Sequence, residues 1–192
     1  MTFIRIFLRI FLLLSFSVAA NAEGDPLPSW NDGAAKQAVV DFVQAATNPS
    51  SPAFVPQDAR IATFDNDGTL WPSHPMYIQL AFAMDRVKQL APQHPEWKTT
   101  QPFKAVLEND LATLTKLDDR GILELVMASH AGMTTAEFEA IVAAWFKTAR
   151  HPRFQKPYTE LAYQPMLELL AYLRSNGFKT YIVSGGEVEF MR

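Results

Sequence analysis

Two carboxylates lie close together at the end of a short apolar segment. Residues 60–64 read Arg-Ile-Ala-Thr-Phe, and Asp65, Asn66, Asp67 and Gly68 follow them. The apolar run predicts a β-strand, and open α/β folds bind ligands where their parallel strands end. Gly68 permits a backbone turn that residues with a Cβ resist. Two acids at this spacing can supply a nucleophile and a proton-transfer group for one substrate.

A second segment of the same type ends in Ser184, which lies 119 positions after Asp65. Residues 178–183 are rich in aromatic and β-branched side chains, and Gly185 and Gly186 follow the serine. The pattern predicts another strand, which ends in a hydroxyl group and two glycines. Main-chain N–H groups at glycines can approach an anion closely. An ordinary strand-closing turn explains either segment alone, but it does not explain why both occur in this order.

Together the two segments resemble motifs I and II of the haloacid dehalogenase-like (HAD) hydrolase superfamily. Motif I has the pattern Asp-x-Asp-Gly-Thr, which matches Asp65 to Thr69, and motif II is a strand-terminal Ser or Thr, which matches Ser184. The resemblance implies hydrolysis of a small phosphorylated substrate. In that reaction Asp65 would be the nucleophile and Asp67 the general acid and base. Ser184, Gly185 and Thr69 would bind the phosphoryl group.

The resemblance also implies a Mg²⁺ cofactor, held by Asp65 and by the main-chain carbonyl of Asp67. This set suits a hard cation that takes few protein ligands. The dehalogenase branch lacks the second acid, because a halide needs no proton to leave. Asp67 therefore favours phosphomonoester hydrolysis through an aspartyl-phosphate intermediate. Asn66 stands where the P-type ATPase branch has a lysine, which argues against that branch.

Apolar periodicity predicts one helix before motif I, over residues 33–47, and an almost wholly helical region between the two motifs. The helices expected in that region span residues 76–91, 102–117, 121–129 and 161–175. Thr134 to Glu137 forms a capping-box pattern that would open a further helix to Ala149. The inward-facing residues are expected to include Tyr77 and Tyr163.

The expected fold class is α/β, with a Rossmann-like core, an incomplete parallel sheet and an inserted helical C1 cap. The helical content of the insertion resembles the phosphoserine-phosphatase-like branch of the superfamily. The expected organisation is a signal peptide over 1–22, an N-terminal arm with the first part of the core over 23–75, a helical cap over 76–160, and the second part of the core over 161–192. Lids of this kind exclude water and select substrates.

The first 22 residues are predicted to be a signal peptide. Arg5 and Arg9 precede an apolar stretch that is shorter than the roughly 20 residues of a membrane span, and an Ala-Asn-Ala cleavage site ends at Ala22. Without this leader the chain keeps 15 basic and 20 acidic residues, a net charge of −5. We expect a periplasmic or secreted protein with no stable membrane anchor after cleavage and no nucleic-acid partner. The absence of cysteine excludes thiol catalysis and Cys-ligated zinc.

The chain ends eight residues after Ser184. In the superfamily a motif III lysine and the motif IV acids normally follow motif II, and no residue here occupies their place. We therefore expect a C-terminally truncated chain, and residues 23–192 alone are expected to be inactive and poorly soluble. The alternative function is a non-catalytic exported remnant or binding module that retains the pocket. Phosphorylated metabolites, phosphoserine and nucleotides stay open as substrates, and the sequence carries no signal for the oligomeric state.

Other residues near the motifs have both a functional and a structural explanation. His74 follows a rigid Trp-Pro-Ser segment and could touch substrate, although a lone histidine is more often a surface or core residue. Trp71 and Trp145 are expected to pack. Four basic residues could hold a substrate anion or form a solvated face, namely Arg150, His151, Arg153 and Lys156.

Overall fold

Two short parallel strands form the sheet of the described part of the chain. The computed structural model of the protein describes residues 24–191, so the predicted signal peptide lies outside the described residues. Strand β1 is Ile61–Phe64 and strand β2 is Lys179–Ile182. They pair in parallel, with Ile61 opposite Lys179 and Phe64 opposite Ile182. This sheet and its helices confirm the predicted α/β class.

Helices supply most of the remaining structure. The α-helices are α1 (Ala34–Thr47), α2 (Ile78–Leu90), α3 (Phe103–Glu108), α4 (Leu111–Leu114), α5 (Asp119–His130), α6 (Thr135–Thr148), α7 (Gln164–Ser175) and α8 (Val188–Met191). Short 3-10 helices are Gln57–Ala59, Ala91–Gln93, Pro95–Lys98 and Tyr158–Glu160. Helices α2 to α7 lie between the two strands in the sequence, as predicted. Within residues 24–191, no helix combines the length and apolar character that crossing a membrane requires.

Local sequence signals set several helix boundaries. The capping box is present: the Thr134 hydroxyl accepts from the Glu137 N–H, and the Glu137 carboxylate accepts from the Thr134 N–H. The single helix predicted over 102–117 is wrong, because the chain breaks after α3. Asn109 adopts a left-handed conformation with φ of 53°, and the Asp110 carboxylate then caps α4. Asn and Asp favour such breaks because their side chains bond to nearby backbone.

The burial of two tyrosines also differs from the prediction. Tyr77 and Tyr163 were expected to face inward, but their exposed fractions are 58% and 38%. Each precedes its helix as the N-terminal cap residue and not as a member of the apolar stripe. The inward positions at the start of α2 belong instead to Ile78 and Phe82, which are each 1% exposed.

One face of the sheet packs against α1 and α7. Ala62 and Phe64 contact a cluster whose buried members include Val43 and Leu173. The opposite face exposes large apolar side chains, since Ile61, Tyr181 and Val183 are 57%, 51% and 63% exposed. Contiguous apolar surface of this kind usually marks a contact surface.

A cluster of aromatic rings joins the helical insertion to the chain that follows β2. The Phe82 ring of α2 lies with its centroid 5.7 Å from that of Phe138, 5.5 Å from that of Trp145 and 5.5 Å from that of Phe190. The first two partners belong to α6 and the third to α8. We call these four residues the aromatic cluster. The edge-to-face contacts of Phe82 with Phe138 and Trp145 stabilise the fold further, in addition to the burial of these rings.

A third cluster packs α5 against α2 and α3. Val87, Val106 and Leu125 are each fully buried there. Leu125 faces α2. The adjacent surface of α5 carries Leu123 and Met127, and these two side chains line a cavity at the ends of the strands.

We predict that Phe82→Ala lowers the free energy of unfolding by about 3–5 kcal/mol, because it opens a cavity at the centre of the aromatic cluster. Urea denaturation followed by circular dichroism measures the change. Phe42→Ala is the matched control, since Phe42 is 60% exposed and contacts one other ring, that of Phe178, and its effect should be well below that of Phe82→Ala. Equal effects of the two substitutions would contradict the central role of Phe82.

Candidate active site

The paired strands bring the two motifs to one edge of the sheet. The Val183 N–H donates to the Phe64 carbonyl over 2.8 Å, which extends the parallel ladder beyond the ends of β1 and β2. Asp65 and Ser184 follow directly. Asp65, Asp67, Ser184 and Gly185 all line one cavity of about 570 Å³. These predicted site residues therefore meet in space despite their separation in sequence.

A tight turn fixes the backbone after Asp65. The Asn66 carbonyl accepts from the N–H groups of Thr69 and Leu70 over 3.1 and 2.8 Å. Gly68 has φ of +82°, and a Cβ there would lie 3.1 Å from the Ser73 Oγ, so both conformation and space favour glycine. The turn places the Thr69 Oγ1 3.5 Å from the Asp65 Oδ2. Thr69 thus lies beside the predicted nucleophile, at the outer limit of a hydrogen bond.

Asp67 is held by a residue that the sequence analysis assigned to packing. The Trp71 indole N–H donates to the Asp67 Oδ1 over 2.9 Å. Burial raises the pKa of the Asp67 carboxyl, the Trp71 hydrogen bond opposes this by lowering it, and the Asp65 charge raises it further. The net pKa lies above the ordinary value, so Asp67 keeps its proton to a higher pH than an exposed Asp. The only sequence signal for this contact is a Trp four positions after an Asp in a tight turn.

The loop after Ser184 is fastened to two helices of the insertion. The Gly186 N–H donates to the Ser184 Oγ over 3.1 Å, so this N–H is already engaged. The Glu187 carboxylate accepts from the Gln79 side chain over 2.7 Å, and the Glu187 N–H donates back to the Gln79 Oε1 over 3.2 Å. His130, at the end of α5, places its Nε2 3.0 Å from the Glu187 Oε1. Sequence reasoning missed these contacts, because no periodic pattern links residues 108 positions apart.

The basic cluster does not contribute to the cavity that contains Asp65. His151 is only 2% exposed; its Nε2 donates to the His74 carbonyl over 2.8 Å, and its Nδ1 accepts from the Arg153 N–H over 3.2 Å. These bonds fasten one loop to another. His74, Arg153 and Lys156 line a separate cavity of about 1070 Å³. None of the four basic residues lines the cavity that contains Asp65, so a substrate anion held by them would lie outside that cavity.

The charged residues that line the Asp65 cavity are all acidic. They are Asp65, Asp67, Asp119 and Glu187, and the lining contains no Lys or Arg from the described residues. The Asp65 carboxylate and the main-chain carbonyl of Asp67 are hard oxygen donors of the kind that Mg²⁺ prefers. Over residues 24–191, no group of three or more His, Asp or Glu side chains could hold a metal ion without other ligands. Water and phosphate oxygens commonly complete the shell of Mg²⁺.

Comparison with known families agrees with the resemblance of the motifs. The family model for haloacid dehalogenase-like hydrolases matches residues 62–192, which is more than half of the chain. The chain therefore belongs to the haloacid dehalogenase-like hydrolase family. The match begins within β1 and includes both Asp65 and Ser184. A search of curated proteins finds no match to the chain.

We predict that Trp71→Phe raises the pKa of the Asp67 carboxyl further, because it removes the hydrogen bond that favours the charged carboxylate. Titration of the Asp67 carboxyl carbon by NMR measures the shift. Asp67 would then release its proton at a higher pH than in the wild type.

Trp30→Phe is the matched control for this substitution. It also removes an indole hydrogen bond, donated over 2.8 Å to the Pro165 carbonyl, but that bond lies away from Asp67. The control should leave the Asp67 titration unchanged. An unchanged or lowered Asp67 pKa in Trp71→Phe would show that the indole does not stabilise the carboxylate.

Proposed function

We propose that this chain carries the active site of a Mg²⁺-dependent phosphomonoester hydrolase that acts through an aspartyl-phosphate. The observation that carries the proposal is the pair of carboxylates in one cavity, of which Asp67 has a raised pKa. A carboxyl that keeps its proton can act as a general acid, while the exposed Asp65 carboxylate beside it is open to a substrate. Membership of a hydrolase family supports the reaction type.

The first step forms the covalent intermediate. An Asp65 carboxylate oxygen attacks phosphorus, and the bond between phosphorus and the ester oxygen breaks. Asp67 gives its proton to the departing alkoxide, which leaves as the alcohol. The Ser184 hydroxyl would donate a hydrogen bond to a phosphoryl oxygen, and the Gly185 main chain would assist in binding from the same cavity. Thr69 does not line the cavity, and it would assist through its position 3.5 Å from the Asp65 carboxylate.

The second step releases phosphate. Asp67, now a carboxylate, takes a proton from water as the water oxygen attacks phosphorus. The bond between phosphorus and Asp65 breaks, and Asp65 returns as a carboxylate. The raised pKa of Asp67 favours both steps. A carboxyl whose pKa lies nearer to neutral pH donates a proton in the first step and takes one up in the second more readily than an ordinary Asp does.

A Mg²⁺ ion would be held by an Asp65 carboxylate oxygen and the Asp67 main-chain carbonyl. When bound, it would offset negative charge on the phosphoryl group and on Asp65. The hard oxygen donors of these two residues fit this role. We also propose that the chain belongs to the phosphoserine-phosphatase-like branch of the family. In this proposal residues 76–160 form a cap, and the core lies on either side of it in the sequence.

A non-catalytic binding module is the second candidate function. The observation in its favour is the lack of Lys or Arg among the described residues that line the cavity. A phosphoryl group there would meet four acidic side chains and no Lys or Arg side chain from residues 24–191. Such a module would bind ligand without turnover, so the substitutions below distinguish the two functions.

We predict that Asp65→Asn abolishes phospho-enzyme formation in the protein that carries this chain and lowers turnover by at least about 10³-fold. Asp67→Asn should lower turnover by about 10²–10⁴-fold, because it removes the proton-transfer group. It should retain Mg²⁺ binding, because its metal contact is a main-chain carbonyl. An aryl phosphate assay with metal titration and mass-spectrometric trapping measures both effects.

Asp58→Asn is the control, since it removes one charge from an exposed Asp outside the cavity. Its turnover should equal that of the wild type. Substantial turnover by Asp65→Asn would exclude Asp65 as the nucleophile. Ligand binding without turnover in the wild type would favour the binding module.

We also propose that the protein is exported to the periplasm or secreted, as its leader predicts. Its partner would be a small phosphorylated substrate, without nucleic acid or a stable membrane anchor. Cleavage after Ala22 should give a mature protein that begins at Glu23. Intact mass of the exported protein measures this, and a membrane-bound product that retains Met1 would contradict it.

A further inference from the structure

Helix α5 has two apolar surfaces, and only one of them is packed. Leu125 is fully buried against α2. The second surface carries Ile122, Leu123, Val126 and Met127, and all four line the cavity that contains Asp65 and Asp67. Leu123 and Met127 remain 58% and 52% exposed. Soluble proteins seldom leave a contiguous apolar patch uncovered without a use for it.

Two further apolar side chains extend this surface toward the carboxylates. Leu80 and Tyr77 line the same cavity, and Tyr77 is 58% exposed. We call Leu80, Tyr77 and the four residues of α5 the apolar wall. Asp65, Ser184 and Gly185 line the same cavity, so a substrate with its phosphorus at Asp65 would place its alcohol portion between the strand ends and the apolar wall.

Among the described residues, the lining beside the apolar wall contains no Lys or Arg that could bind a second anion, and the nearby His130 is engaged with Glu187. Glu187 and Asp119 are the other charged residues of the lining, and both are acidic. The Glu187 carboxylate and the Gln79 amide are already bonded to each other. An additional carboxylate or phosphate on the substrate would be repelled there, and like-charge contacts are an effective means of rejecting a wrong ligand.

We infer that this pocket selects phosphomonoesters of apolar alcohols and rejects esters that carry a second anionic group. This inference rests on the proposed function and narrows its substrate class. Phosphoserine, bisphosphates and nucleoside polyphosphates fall outside this class. The apolar alcohol covers the exposed side chains of α5, and each methylene that it buries adds to transition-state binding.

The test compares three primary alkyl phosphates, so that the leaving group keeps similar basicity. Ethyl phosphate and 1-hexyl phosphate differ only in apolar length. In 6-phosphonooxyhexanoate a carboxylate replaces the terminal methyl group of the hexyl chain. We expect kcat/KM for 1-hexyl phosphate to exceed that for each of the others by at least about tenfold. Equal kcat/KM for the ethyl and hexyl esters, or a preference for the carboxylate ester, would overturn the inference.

Leu123→Arg tests the wall itself by adding a cation to it. The ratio of kcat/KM for 1-hexyl phosphate to that for 6-phosphonooxyhexanoate should fall by about tenfold or more. Leu111→Arg is the matched control, because Leu111 is 60% exposed in α4 and outside the cavity lining; it should leave the ratio unchanged. Met127→Ala should lower the preference for hexyl over ethyl ester, and circular dichroism checks the folding of each variant.

These outcomes separate the inference from the function on which it rests. If all three esters are hydrolysed, if Asp65→Asn abolishes this hydrolysis, and if their kcat/KM values do not follow the expected order, the phosphatase assignment stands. The inferred substrate class is then wrong. Turnover of the aryl phosphate without hydrolysis of any of the three alkyl esters would overturn the substrate class alone, whereas no turnover of either kind of ester would overturn both. A ratio that Leu123→Arg and Leu111→Arg change equally would also overturn the role of the apolar wall.

Discussion

Parallel hydrogen bonding between β1 and β2 is the constraint on which the site depends. The bond from the Val183 N–H to the Phe64 carbonyl closes a segment of more than a hundred residues and places Asp65 next to the Ser184 loop. Closing a loop of this length carries an entropic cost, and two strands of four residues are marginal without support. The packing of α1 and α7 on one sheet face supplies part of that support, and the aromatic cluster, which joins α2 and α6 to α8, supplies a further part.

The sequence was sufficient where a local cause leaves a distinctive pattern of residues. An apolar run that ends in Asp-Asn-Asp-Gly predicted both the strand and its turn, because Gly68 is the residue that tolerates a positive φ there. The capping box at Thr134 was equally readable, since its two hydrogen bonds join residues three positions apart. Membership of the hydrolase family confirms the resemblance that these local signals indicated.

Features whose local signal is overridden by a stronger pattern, or that depend on distant residues, could not be predicted in this way. The apolar periodicity over 102–117 continues through Asn109, so it hid the break between α3 and α4 that the backbone of Asn109 and the side chain of Asp110 produce. The pairing of Gln79 with Glu187 follows from how α2 meets the Ser184 loop and has no counterpart in either local sequence. The role of Trp71 was missed because a Trp near a motif is more often a packing residue.

The helical insertion is in direct contact with the chain that follows Ser184. Phe190, a few residues after Ser184, packs in the aromatic cluster of the insertion, and Glu187 between them contacts both α2 and His130 at the end of α5. The helix that forms the apolar wall is therefore joined to the loop that carries Ser184. In the proposed reaction, a substrate that fills the space beside α5 would contact the same structure that positions Ser184, so binding of the alcohol and placement of the phosphoryl group would be linked. Such linkage allows contacts remote from phosphorus to contribute to the chemical step.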